Sequence, residues 1–461
     1  MLLFGVISYA VVILIVAWVA QRRVKDEEDF IVAGRRMGTW MASATLLATW
    51  FGAGTLLTST DEMAAEGFRV VALEPLGSGL CLMVTGLFFA RPLWDMKVCT
   101  LADYFKLRFG VKAEILQVLT SLPTFIGWIA VQLVALAGLF EVLFGWPATP
   151  TIIGLGLFAL VYTLLGGMWS VGLTDSLQAL LLILGLLLLG WHVWQDLAST
   201  TGGWPGAWSQ ITPSRRTWIP TERMTEFVQW LGWLNIAMLG NIPSQDLMQR
   251  VFASRSGSIA RKACFIAGGA YILLGCVPIL VGLSFPILFP NQEIQSVVIQ
   301  MAQHYLSGGW MVLFLLAVLS MVLSSMDSGI LAPATALGRN LLRPHVTPAL
   351  STLALCRWSV VLVSIACVMV ALLGSRAFEL LESCYSIGLA GLLVPLCFGL
   401  FTSMGNQTSA LLSMSVGIAV WLIEIGFDLE WPVAPLGAVA GCVGYYIHAK
   451  LVATSASWMS K

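Results

Sequence analysis

The chain has 461 residues, 58% of them hydrophobic and 10% charged, with 24 Lys+Arg against 24 Asp+Glu. A mean hydropathy of +0.88 is too apolar for a water-soluble globular protein of this length, and the balanced charge offers no basic surface for nucleic acid. What remains is an all-α polytopic membrane protein with the lipid bilayer as its solvent.

The first apolar run, MLLFGVISYAVVILIVAWVA, has no basic segment before it and no small-residue cleavage site after it, so it reads as a retained span and not as a signal peptide. Apolar runs of about 20 residues then recur along the chain, each long enough to cross a hydrocarbon core of about 30 Å as a helix. Taken in order they predict about 13 transmembrane helices, starting near residues 2, 41, 70, 118, 150, 172, 225, 263, 296, 352, 378, 406 and 432.

With the N-terminus outside, the inner loops receive 19 of the 24 Lys+Arg, among them Arg22, Arg23, Arg35, Arg36, Arg250 and Arg339. Only Arg69, Arg215, Arg216, Arg223 and Arg376 fall outside. The positive-inside rule turns this asymmetry into an N-terminus outside and a C-terminus in the cytoplasm, as in a plasma membrane or bacterial inner membrane.

The nine cysteines show no pairing pattern, and His192, His304, His345 and His448 lie far apart, so neither disulfides nor a structural metal are expected. No Gly-rich phosphate loop and no appended signalling module is read before the end at KLVATSASWMSK. The expectation is therefore no enzyme, no cofactor, no nucleic acid and no obligatory protein partner. Transport remains, with a membrane sensor as the remote alternative. The segment at roughly 195 to 225 reads as an interfacial loop, with Trp204, Trp208 and Trp218 as anchors.

Two spans are interrupted in corresponding places. LLATWFGAGTLLTSTDEM carries Gly52 and Gly54 with Thr49 and Thr55; LNIAMLGNIPSQDLMQR carries Gly240, Asn241 and Pro243. Paired Gly/Pro breaks in two halves point to an inverted-repeat secondary transporter with its site at the breaks, although Gly and Pro also serve helix packing.

A third stretch, LLAVLSMVLSSMDSGILAP, sets Ser324 and Ser325 three and four residues after Met321 in an apolar helix, so three oxygens converge within one turn. They can bond only to the preceding turn, or they can offer ligands to a hard cation, whose remaining oxygens unwound backbone near Ala48 to Gly54 could supply. Asp327 lies close by and could pair with a loop cation; an intramembrane carboxylate is otherwise a functional candidate.

The stretches GRRMGTWMASATLLATWFGAGT, LADYFKLRFG, YTLLGGMWSVGLTDSLQALLLI, IPSQDLMQRVFASRS and VLSSMDSGILAPATALGRNLL resemble the sodium:solute symporter family, in order and at the right separations. Their local text is most similar to its high-affinity choline transporter branch. The resemblance implies a LeuT-type core of two inverted five-helix repeats working by alternating access. Its parts would be a leading helix and inner loop at 1–40, a first repeat at 41–198, a second at 225–402 and two trailing helices at 403–461. It further implies Na⁺ as coupling ion, bound by carbonyls of Ala48 and Phe51 with Met321, Ser324 and Ser325, and a sodium release path at Asp175. Asp175 could equally complement a helix dipole.

For the solute, Trp50 matches an aromatic wall of the choline branch, and a Trp face suits a desolvated ammonium. Ser244 stands where that branch has a tryptophan, and an expected aromatic is replaced around Glu382, so a complete aromatic cage is not visible. Glu74, Asn241 and Tyr385 are further candidates for the substrate site, with Glu382 as a candidate gate; each could instead be solvated or serve as interhelical glue. The expectation is sodium-coupled import of a small organic solute: an amine or quaternary ammonium such as choline, or an amino acid. The alternatives are a proton-coupled carrier of the same fold and a carrier of proline or small carboxylates.

Overall fold

The structure, a computed structural model, describes residues 1–346, 350–373, 386–427, 431 and 433–459. Among them no strand forms; one isolated bridge joins Met37 to Ser254. The principal helices are α1 (Leu2–Gln21), α2 (Thr39–Trp50), α3 (Gly54–Glu66), α4 (Phe68–Asp95), α5 (Leu101–Phe109), α6 (Val111–Phe144), α7 (Ala148–Thr201), α8 (Met224–Gly240), α9 (Gln245–Ala253), α10 (Gly257–Leu288), α11 (Gly308–Ala336), α12 (Thr352–Leu373), α13 (Gly388–Phe401), α14 (Gln407–Gly426) and α15 (Ala434–Met459).

Burial separates lipid-facing from central helices. In α1 only Tyr9, Ile13, Ala17 and Ala20 are buried, a stripe at near-helical spacing that packs on α7 and α11 while the apolar remainder faces outward. In α11 72% of the most apolar window is buried inside the protein, which makes it the central helix. It packs against α6, α7, α2 and α9.

Seven described helices are long and apolar enough to span a membrane, or eight when the bent pair α2 and α3 counts as one, so the expected 13 are not all recovered. The reasons are local. The spans expected from 150 and 172 form one 54-residue helix, α7, broken at Gly167. At about 1.5 Å per residue it is far too long for a single crossing. At Gly167 (φ 50°) a Cβ would lie 2.6 Å from the carbonyl oxygen of Phe30, so the break requires glycine. Helix α8 has only 17 residues, α13 and α14 contribute shorter apolar stretches, and the span expected from 378 begins outside the described residues.

The segment read as a loop at 195 to 225 contains two short helices, Trp204–Gln210 and Pro213–Arg216. Trp204 and Trp208 pack on a satellite cluster with Phe68 and Ile211, and Trp218 stacks on Phe68 at 5.2 Å. They are packing groups in this structure.

Candidate functional site

Helix α2 ends at Trp50, and the chain turns by 57° into α3. The turn redirects two amide donors. Gly52 N–H bonds to Trp50 O at 3.0 Å and Ala53 N–H bonds to Gln132 Oε1 of α6 at 3.0 Å. In a continuous helix those donors would reach Ala48 O and Thr49 O. The two carbonyls are thereby released inside the protein, where a backbone acceptor must find another partner.

Helix α11 supplies it. Ser324 Oγ lies 2.6 Å from Ala48 O and 2.9 Å from Met321 O; Ser325 Oγ lies 2.7 Å from Thr49 O and 3.2 Å from Met321 O. Ala48, Met321, Ser324 and Ser325 are all buried. Phe51, buried too, sits in the break itself at φ −80° and ψ 78°. Gly52 packs so closely that a Cβ there would fall 2.9 Å from Ser325 Oγ. Four of the five expected sodium ligands thus converge directly, and the second carbonyl that meets a serine is that of Thr49. An all-oxygen, water-poor set of this kind suits a hard monovalent cation better than a soft metal.

One turn along α2 and α11, at Thr45 and Ser328, lies a buried charge cluster. Arg250 Nη2 is 3.5 Å from Asp175 Oδ2, with both side chains fully buried. Asp175 also accepts from Thr49 Oγ1 at 3.3 Å and from Thr45 Oγ1 at closer range. Arg250 donates further to Thr49 Oγ1 at 2.6 Å, to Thr45 Oγ1 at 3.1 Å, to Ser328 Oγ, and to the backbone carbonyl of Asp246 at 2.9 Å. Arg250 was expected in an inner loop; α9 instead lies against α2 and α11 and carries its guanidinium inward. Asp327 receives Ser328 Oγ at 2.9 Å, while its Oδ2 and Asp175 Oδ1 have no hydrogen-bond partner among the described residues.

On the other side of the break a cavity opens between Trp50, Ser78, Phe125, Trp128, Asn241 and Asp246. Trp50 and Asn241 were expected at a substrate site, and both line it. Glu74 does not: it is buried behind the wall, accepting from Tyr271 Oη at 2.6 Å and from Ser78 Oγ at 2.8 Å, so it touches the cavity only through Ser78. Tyr385 and Glu382 lie outside the described residues. Asp246, Arg250, Thr45, Ser328 and Gln132 were not anticipated as site residues. The available signal was the four-residue spacing of Asp246 and Arg250 directly after the second break.

The profile of the Sodium:solute symporter family matches residues 30–417. The chain belongs to the sodium:solute symporter family. It is 27% identical over 355 residues to the human High affinity choline transporter 1, covering 73% of this chain but 61% of that protein. The chain thus spans about three fifths of the length of that relative. It is 22% identical over 464 residues to the Sodium/glucose cotransporter of Vibrio parahaemolyticus, covering 92% of this chain and 85% of that one.

Among solved structures, a Na⁺-coupled sialic acid symporter in a substrate-bound outward-open state superposes with a TM-score of 0.80 at 17% identity, covering 97% of each chain. A nucleobase-cation-symport-1 family transporter, in a closed conformation, gives 0.61 at 15% identity over 93% and 94% of the chains. At these identities the likeness establishes the fold, which is the LeuT-type fold expected for this sodium:solute symporter family member. The family places the chain among membrane-embedded transporters and not among enzymes.

Proposed function

We propose that this protein is a Na⁺-coupled symporter importing a small organic solute, an amine or quaternary ammonium such as choline, or an amino acid. The observation that carries this reading is the release of the Ala48 and Thr49 carbonyls against the hydroxyls of Ser324 and Ser325. Rotation of each hydroxyl hydrogen away from its carbonyl leaves oxygens of both partners for an ion. We assign Ala48, Phe51, Met321, Ser324 and Ser325 as sodium ligands, Asp175 as a station on the release path, and Trp50 and Asn241 as substrate contacts.

Coupling follows from the position of the break. Sodium would join α2 to α11, while the solute cavity shares Trp50 with α2 and Asp246 with α9, so each ligand stabilises one arrangement of the same broken elements. The two halves proposed at 41–198 and 225–402 would rock about these joints. On the basic side, proposed here as cytoplasmic, the chain is laced shut. Arg35 reaches the carbonyls of Lys97 and Val98 at 2.9 Å each, and Arg339 pairs with Glu27 at 2.5 Å and Asp103 at 3.1 Å. An inward opening must break these bonds.

The test is uptake of labelled choline and a labelled amino acid panel by proteoliposomes. We predict accumulation above the external concentration only under an inward Na⁺ gradient. Accumulation driven equally by a proton gradient in K⁺ would favour the proton-coupled carrier instead, for which the specific support is the unpartnered Oδ2 of buried Asp327.

A further inference from the structure

The cavity beside Trp50 contains a carboxylate that makes no ion pair among the described residues. Asp246 is 2% exposed and stands in the first turn of α9. Its Oδ2 accepts from Trp50 Nε1 at 3.0 Å, and its Oδ1 from Ser244 Oγ. Backbone amides of the same turn contribute as well. All of these donors are neutral.

Arg250 stands one turn further along α9; it donates to the backbone carbonyl of Asp246 and acts on the Asp246 carboxylate through space, without ion-pair contact. Its remaining donors go to Asp175, Thr45, Thr49 and Ser328.

The charge balance of the interior sharpens the point. Among the described residues six carboxylates are buried: Asp29, Glu74, Glu114, Asp175, Asp246 and Asp327. Asp29 is paired with Arg36 and Glu114 with Lys106. That leaves Glu74, Asp175, Asp246 and Asp327, with Arg250 as the only buried base among the described residues. Among the described residues Glu74, Asp246 and Asp327 have no ion pair, and a buried carboxylate is costly unless it is paired or neutral. Of the four, only Asp246 lines the cavity.

We propose that Asp246 is the counter-ion for the transported solute, and that the solute is a small organic cation bearing at least one N–H. This rests on the reading of the cavity as the substrate site and deepens it. The carboxylate is held in place by Trp50 and Ser244, and it lines the cavity in which a bound cation would lie. A protonated amine donates to it, whereas a quaternary ammonium cannot. Trp50, Phe125 and Trp128 wall the alkyl part, and the cationic centre gains from their ring faces.

Ser244 matters twice. It lines the cavity, and its hydroxyl donates to Asp246. Because the Trp50–Asp246 bond crosses from the end of α2 to the start of α9, a cation bound there engages both broken elements. A structural alternative is that Asp246 serves only the dipole of α9 and the anchoring of Trp50.

The experiment is thermal stability of the purified full chain in saturating Na⁺. The probes are dimethylaminoethanol, choline, the neutral isostere 3,3-dimethyl-1-butanol, and propionate, on the wild type, Asp246→Asn, Asp246→Glu and Trp128→Ala. The proposal expects dimethylaminoethanol to stabilise the wild type at concentrations at least tenfold below those needed for the neutral isostere, with choline weaker and propionate without effect. Asp246→Asn should abolish the preference for charge while retaining the response to Na⁺ alone, and Asp246→Glu should restore part of it.

Preference for the neutral or anionic probe, or failure of the amine to stabilise the wild type, overturns the proposal even if the variants do not fold. An amine response lowered by Trp128→Ala but within twofold of wild type in Asp246→Asn removes the counter-ion and keeps the cavity. An amine response changed by neither variant removes the cavity reading, and the proposal with it.

Discussion

Single residues in this protein act through which hydrogen-bond partner they deny or supply. Arg250 is the clearest case, since its guanidinium reaches Asp175, Thr45, Thr49 and Ser328 from a fully buried position. Removing it leaves buried carboxylates without their cation, and breaking a buried pair this way costs about 3–5 kcal/mol. We predict that Arg250→Met lowers the unfolding free energy by about that amount and that adding Asp175→Asn recovers more than half of it. Equal stability of the single and double variants in chemical unfolding would show that the pair is not coupled.

Ser324 and Ser325 were legible in the sequence because hydroxyls stand out in an apolar helix. Asp246 and Arg250 were not, because at the end of an apolar span the same residue types anchor loops, and their burial comes from the docking of α9 on α2 and α11. Glu74 stood out in the sequence as a carboxylate in an apolar span; in the structure its partners are Tyr271 and Ser78, and of these only Ser78 lines the cavity.

At the scale of elements, the proposed function depends on two breaks in otherwise helical segments. Both breaks were marked by Gly and Pro, and both are present, at Phe51–Ala53 and at Asn241–Ser244. What could not be read was the side chain that holds the first one open. Gln132 comes from α6, about 80 residues away in sequence, and takes the Ala53 amide that would otherwise return to Thr49 O. Gln132→Leu should let that helical bond re-form.

We predict a loss of at least tenfold in Na⁺ affinity with only about 1 kcal/mol of lost stability, the usual net value of one hydrogen bond. A Na⁺ titration of the thermal midpoint reads both, and an unchanged titration would mean the carbonyls stay released without Gln132. The count of spans was less legible than the breaks. A glycine kink such as Gly167 leaves hydropathy continuous, so α7 reads as two helices by length and one by hydrogen bonding.

The whole molecule is an apolar body around a core richer in carboxylates than in basic groups, closed on its basic side by ion pairs and clipped there by the Met37 and Ser254 bridge. The family and the fold account for the architecture, and the released carbonyls account for where the first cation would act. The most direct test is the thermal unfolding midpoint of the purified protein in NaCl against KCl at equal ionic strength, for the wild type and for Ser324→Ala with Ser325→Ala. A ligand that binds the folded state raises its stability with concentration. The account predicts a midpoint that rises with Na⁺ and not with K⁺ in the wild type, and a folded double variant that no longer tells the two ions apart. Equal midpoints in both salts for the wild type, or a double variant that still responds to Na⁺, would contradict it.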